Sequence, residues 1–295
     1  MKAAVYGQPP LRLVPGSGTQ VSPLSPGAQA LEACMPASLD ELTLLAPSGV
    51  LERRYALAAG LAALKPGGVL TALALKTAGG GRIKSELEAF GCAVQESAKA
   101  HHRICLVERP DALTGLDEAM AIGGPQKAGG LWTQPGVFSW DRIDPGTALL
   151  LATLPPLKGA GADLGCGIGV LARDILAHPA VTRLVMIDID RRAVEAARRN
   201  IDDPRAEILW TDVRTARLEG LDFVVMNPPF HAAGQKDDAL GAAFIDKSSA
   251  SLRKGGVCWL VANRQLPYEA VLAPRFATVT LKGQTGLYKV YEARR

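Results

Sequence analysis

Compact apolar runs alternate with charged, amphipathic stretches along this chain, most regularly in its second half. RLVMIDID (183–190), EILWTD (207–212) and LDFVVMNPPF (221–230) each hold an apolar run closed by Asp or Pro, as expected for strands buried within a sheet. GADLGCGIGVLARDILA (161–177) is a short strand, a glycine-rich turn and a helix with Val170, Leu171, Ile175 and Leu176 apolar. DRRAVEAARRNI (190–201) opens on Asp190, a natural N-cap. Upstream, Asp144-Pro145-Gly146-Thr147 supplies an N-cap followed by Pro at the first helical position. TALLLATL then makes a short apolar helix ended by Pro155-Pro156. Strand and helix alternating in this way predict an α/β fold around a parallel sheet.

The chain also repeats itself. LAALKPGGVLTALAL (61–75) and SASLRKGGVCWLVAN (249–263) are each a helix end, a basic residue, a Gly-Gly stop and a strand. Beyond each comes a Phe (Phe90, Phe276) and two β-like runs, CAVQE and HRICLVE in one half, ATVTL and GLYKVYE in the other. DELTLLAPSG (40–49) sits where LDFVVMNPPF (221–230) sits. This order of features predicts a duplicated α/β unit. The first copy has Ala46-Pro47-Ser48-Gly49 in place of Asn227-Pro228-Pro229-Phe230, and its Gly16-Ser17-Gly18 reads as a loop. Only the second half is equipped for chemistry. The Gly- and Pro-rich GGPQKAGGLWTQPG (123–136) reads as the connection, giving domains 1–125 and 137–295 with a linker at 126–136.

Composition narrows the picture little. Hydrophobic residues at 48% and charged residues at 21% are those of a soluble globular protein. The net charge of +4 permits nucleic-acid binding without arguing for it. Arg191, Arg192, Arg198 and Arg199 lie at helical spacing and read first as a solvated helix face, second as an RNA track. Five cysteines without a CxxC pair speak against a disulfide framework or a zinc site. His101 and His102, if neighbours on a strand, point to opposite faces, so no metal is expected. Without a charged-then-apolar leader or a long apolar run, the expected location is the reduced cytoplasm.

Candidate chemistry begins at Asp163-Leu164-Gly165-Cys166-Gly167-Ile168-Gly169. Glycines there let a ligand approach the backbone closely. A dinucleotide fingerprint needs a small residue where this chain has Val170. Asp163, two residues before Gly165, suits a ligand bearing an ammonium group better than one bearing a pyrophosphate. Asp188, with Ile189 beside it, ends the next strand at the place that accepts ribose hydroxyls. Asp212, ending the third, can accept from an adenine amino group, or is a loop carboxylate. An amino group, a ribose and an adenine without phosphate describe S-adenosylmethionine.

Asn227 ends the fourth strand at the same edge. Its side-chain oxygen and the Pro228 carbonyl can each accept a hydrogen from a planar exocyclic NH2 group, aiming that group's lone pair at the cofactor's methyl carbon. Phe230 would stack on the flat substrate, with the prolines holding the parts in place. The competing reading is a Pro-Pro turn that caps a strand, with Phe230 in the core. His231 reads as a loop residue.

Asn227-Pro228-Pro229-Phe230 after this glycine loop resembles the signature of class I methyltransferases acting on planar amines. QPGVFSWDRIDPGTALLLATL (134–154), NPPFH (227–231), VANRQLPY (261–268) and GQTGLYKVY (283–291) are similar to segments of the RsmC/RlmG-like ribosomal RNA guanine-N2 methyltransferases, and most like the small-subunit enzymes. The resemblance implies two tandem Rossmann-like methyltransferase domains: an N-terminal one that has lost its cofactor site and helps to hold RNA or brace its neighbour, and a C-terminal seven-stranded catalytic one. It implies S-adenosylmethionine around Asp163, Gly165, Gly167, Gly169, Asp188, Ile189, Asp212 and Asn227. Asn227, Pro228 and Phe230 would handle a guanine of small-subunit (16S) rRNA in a protein able to act as a monomer. Adenine-N6 and protein-glutamine methyltransferases share the Asn-Pro-Pro-aromatic device, and a non-catalytic assembly factor that binds the cofactor is the alternative of another class.

Overall fold

In the computed structural model the described residues are 2–13, 18–229, 231–232, 235–236 and 238–295. The chain divides into two compact units, Met1–Gln126 with Gln134–Gly136, and Lys127–Thr133 with Val137–Arg295. Residues 126–136 are thus shared between the units.

The first unit contains strands β1 (Ala3–Tyr6), β2 (Thr19–Gln20), β3 (Leu39–Leu45), β4 (Leu64–Leu75), β5 (Gln95–Lys99) and β6 (His102–Glu108). They form one sheet in the order β2-β1-β3-β4-β6-β5, parallel from β2 to β4 and antiparallel at β6 and β5. Helices α1 (Val50–Ala63), α2 (Gly80–Ala89) and α3 (Leu116–Gly123) complete it. An alanine-rich α1 lies close on the sheet, and a Cβ at Gly60 would fall 2.6 Å from Leu42 Cδ2. The histidine pair is not on one strand. Ala100 and His101, with φ of +46° and +64°, make the two-residue hairpin turn between β5 and β6, and only His102 is in the ladder.

The second unit opens with a hairpin of β7 (Gln126–Ala128) and β8 (Leu131–Thr133). Next come α4 (Pro145–Thr153), β9 (Gly159–Leu164), α5 (Val170–Leu176), β10 (Val181–Asp188), α6 (Arg191–Asn200), β11 (Ala206–Trp210) and β12 (Leu221–Met226). A short pair, β13 (His231–Ala232) and β14 (Gln235–Lys236), precedes α7 (Asp238–Ser251), β15 (Leu252–Asn263), α8 (Tyr268–Leu272), β16 (Thr278–Gln284) and β17 (Tyr288–Arg294). Seven strands lie in the order β11-β10-β9-β12-β15-β17-β16, with only β17 antiparallel to its neighbours. Alternate residues serve opposite cores. Val224, Met226 and Leu260 pack on one face, and Phe223, Val225 and Trp259 on the other. This is why the strands read as unbroken apolar runs.

β9 looks too poor in apolar residues for a central strand, and its neighbour explains why. A Cβ at Gly161 would lie 2.1 Å from the Phe223 ring, so the aromatic on β12 fills the space that a side chain on β9 would need.

The two units repeat one local plan. α1 and α7 are both 14 residues long and run directly into β4 and β15. Both sheets then skip register at the Gly-Gly turn: Leu39 pairs Leu64 before Glu41 pairs Val69, and Leu221 pairs Leu252 before Phe223 pairs Val257. Gly67 and Gly255 have φ of +75° and +77°. The register moves the sequence alignment by one residue, so that Leu45, rather than Ala46, occupies the place of Asn227. Ala3 pairs Glu41 as Gly161 pairs Phe223, which matches Val5 with Asp163 and Gly7 with Gly165. Ala4 pairs Thr19 as Ala162 pairs Val185, which matches Ser22 with Asp188. Among the described residues, no helix separates β1 from β2.

Candidate active site

The order of the second sheet reverses at β9, whose neighbours β10 and β12 are both reached by crossovers. In such sheets a crevice opens beyond the strand ends at the switch point. Gly165, Gly167 and Gly169 lie there with φ of +76°, +54° and +89°, a backbone that L side chains resist. A Cβ at Gly167 would meet nothing within 4 Å, so this glycine faces open space. At Gly169 it would press on Ile201 and Met186 at 3.2 and 3.3 Å, so Gly169 seats α5 against the core.

Asp163 is completely buried, and neither carboxylate oxygen meets a donor among the described residues. Burial, helped by the charge of Asp188, pushes its pKa up to about 8. Asp188 ends β10 and accepts from the amides of Gly167 at 2.8 Å and Asp190 at 2.9 Å. Burial outweighs those bonds and raises its pKa to about 6. Ile189 is 38% exposed beside it, its carbonyl held by the Trp210 indole N–H at 2.8 Å. β11 stops at Trp210, so Asp212 lies in the following turn. There Arg214 binds its carboxylate through Nε and Nη2 and holds its pKa below the usual range. Asp190 caps α6 as expected, accepting from the Arg192 amide at 3.0 Å.

The arginine cluster is not a uniformly solvated face. Arg192 is buried, donating to Asp190 at 3.0 and 2.8 Å, and the largely covered Arg191 pairs with Glu195 at 2.9 Å. Arg199 stacks on Trp132 with 4.9 Å to the ring centroid. Asn200 ties the hairpin to the glycine loop, its Nδ2 donating to the carbonyls of Trp132 and Ile168, each at 2.9 Å.

Asn227 follows β12 directly. Its Nδ2 donates to Asp144 Oδ2 and to Thr147 Oγ1, both at 2.9 Å. A carboxylate only accepts, so the amide is oriented with nitrogen toward Asp144. Among the described residues no donor meets Oδ1, which stays available as an acceptor. Asp144 also caps α4, its Oδ2 accepting from the Thr147 amide at 2.9 Å. Phe230 lies outside the described residues, and His231 is on β13 rather than in a loop.

An open cleft of about 460 Å³, partly open to solvent, is lined by Phe138, Arg142, Asp144, Thr147, Gly167 and Asn227 among others. The structure therefore brings together Asp163, the glycine loop, Asp188, Ile189 and Asn227 around one edge of the sheet, with Asp212 already engaged by Arg214. By spacing alone Asp144 is a helix cap, and nothing in the pattern marks Phe138 or Arg142. The one signal for a second role is that a cap uses one carboxylate oxygen lone pair and leaves others to bind elsewhere.

Residues 128–292 match the model of the methyltransferase small domain family, and the chain belongs to that family. It is 35% identical over 162 residues to the ribosomal RNA small subunit methyltransferase C of Shewanella loihica, covering 54% of this chain and 47% of that protein. The protein of the same name from Cronobacter sakazakii is 38% identical over 164 residues, covering 55% and 48%. The chain thus spans about half the length of the curated relatives it matches. The solved structure of the T. thermophilus 16S rRNA N2 G1207 methyltransferase (RsmC) in complex with AdoMet and guanosine superposes with a TM-score of 0.80. That match has 24% identity and covers 100% of this chain and 88% of the other, so both units share its fold.

Proposed function

We propose that this protein transfers a methyl group from S-adenosylmethionine to the exocyclic N2 amine of a guanine in small-subunit (16S) ribosomal RNA. The observation that carries the reading is the Asn227 amide, fixed through its nitrogen and presenting Oδ1 as an acceptor at the cleft edge. The names of the relatives support the substrate.

The residues fit the cofactor. Gly167 leaves room above the loop, the unpartnered Asp163 lies beneath it, and Asp188 is held by backbone amides with lone pairs to spare for ribose hydroxyls. Ile189 offers an apolar surface to an adenine, and Asp212 an acceptor for its amino group. Bound there, S-adenosylmethionine supplies an electrophilic methyl carbon. The chain's own part is to hold the amine. Oδ1 of Asn227 and the Pro228 carbonyl accept its two hydrogens, which fixes the plane of the group and turns its lone pair toward the methyl carbon. No strong base is needed. Phe230 stacks on the base, and the first unit holds RNA or braces the second.

Labelled methyl transfer tests this, with small subunits, large subunits, their naked rRNAs and tRNA side by side, all from cells lacking the enzyme. N2-methylguanine from small-subunit rRNA is expected. Label only in N6-methyladenine or protein would overturn the substrate, and cofactor binding with no label anywhere would make the protein an assembly factor.

A further inference from the structure

We propose that Asp144 is a positioning residue for transfer, its carboxylate locking and polarising the Asn227 amide so that Oδ1 acts as the acceptor for the substrate amine. The inference deepens the proposed function and rests on it for the identity of that amine.

Nδ2 has two hydrogens and two acceptors, Asp144 Oδ2 and Thr147 Oγ1, each at 2.9 Å. Both N–H groups are used, and a flipped amide would set Oδ1 against a carboxylate. The flip is therefore closed on electrostatic grounds. Asp144 cannot drift, because the same oxygen is bound by the Thr147 amide and Pro145 fixes the backbone at the first helical position. The half-buried anion draws on the amide N–H and shifts electron density toward Oδ1, strengthening it as an acceptor.

That strength is used in the transition state. The amine nitrogen forms its bond to the methyl carbon as the carbon–sulfur bond breaks. Positive charge passes from sulfur to nitrogen and leaves as a proton to water. As the charge develops, the amine hydrogens bind Oδ1 more tightly than they do in the resting substrate, so the effect falls on kcat more than on KM. Two strands of sequence 83 positions apart thus act as one device.

Asp144→Ser separates this role from capping, since serine caps a helix but is too short to reach Asn227. Asp144→Asn keeps the shape and loses the charge. Two readouts are needed: the side-chain amide NMR signals of Asn227, assigned by their loss in Asn227→Ala, and methyl transfer alongside cofactor affinity. In Asp144→Ser, kcat should fall roughly 10- to 100-fold, with cofactor Kd within about threefold and the amide hydrogens exchanging at least ~10-fold faster. Asp144→Asn should recover part of the rate. Wild-type amide signals and kcat in Asp144→Ser would overturn the proposal, as would a loss of cofactor affinity equal to the loss of kcat. If the wild-type protein methylated no RNA, the functional reading would fall, while unchanged amide exchange in Asp144→Ser would still count against the positioning role and faster exchange for it.

Discussion

Val5 stands in the first unit where Asp163 stands in the second, Ser22 where Asp188 stands, and Leu45 where Asn227 stands. The glycine that follows the first strand remains in both, Gly7 at φ +81° and Gly165 at +76°. The backbone turn is thus needed by the sheet itself, whereas the acids and the amide are not. A buried carboxyl such as Asp163 costs stability, and the first unit has the buried, apolar Val5 in its place. The loop after the strand differs in the same sense. Arg53 on α1 donates to the carbonyls of Pro47 and Ser48 at 3.2 and 2.8 Å and to Glu86 at 2.7 and 2.8 Å. Its counterpart on α7 is Gly241, packed against the Tyr268 hydroxyl. In the first unit a guanidinium fills the strand-end loop. In the second, that position carries no side chain.

The largest expected effect separates the two strand ends. Asn227→Ala should lower methyl transfer by about 100- to 1,000-fold or more, with cofactor affinity changed less than about threefold. Leu45→Asn should create no second activity. Transfer that survives Asn227→Ala would break the mechanism.

Next comes the filled loop. Arg53→Ala leaves Glu86 buried without its cation and should cost about 3–5 kcal/mol in denaturant unfolding. Replacing both partners by leucine should recover most of that loss. A single variant as stable as wild type would mean that the pair does not hold the loop.

Asp163 carries a pH signature. Its folded pKa of about 8 lies above the ordinary value of 3.8, so the folded chain holds more protons between those limits. Its contribution to stability is therefore full below about pH 4 and is lost as pH rises toward 8. Asp163→Asn should gain melting temperature on the wild type as pH rises through that window, while binding the cofactor less well. A difference independent of pH would contradict the assignment.

The smallest effect is the most discriminating. Gly7→Ala and Gly165→Ala should each cost about 1–2 kcal/mol, because both residues have positive φ. Only Gly165→Ala should weaken cofactor binding.

The α/β alternation, the duplication, the caps at Asp144 and Asp190 and the order of Asp163, Asp188 and Asn227 were legible in the sequence, because each is a local pattern of spacing or capping. What was not legible depends on register and on contacts across the sheet. That Leu45, not Ala46, is the equivalent of Asn227 follows from how β3 pairs with β4 and β12 with β15, which the sequence motifs alone do not fix. The need for Gly161 comes from Phe223 on another strand, and the second role of Asp144 from a partner 83 residues away.

The measurement that most directly tests the division of labour is calorimetric titration of the full chain with S-adenosylmethionine. The account predicts one site per chain, lost in Asp188→Ala and retained in Gly7→Ala. Two sites per chain, or binding that survives Asp188→Ala and disappears in Gly7→Ala, would contradict it.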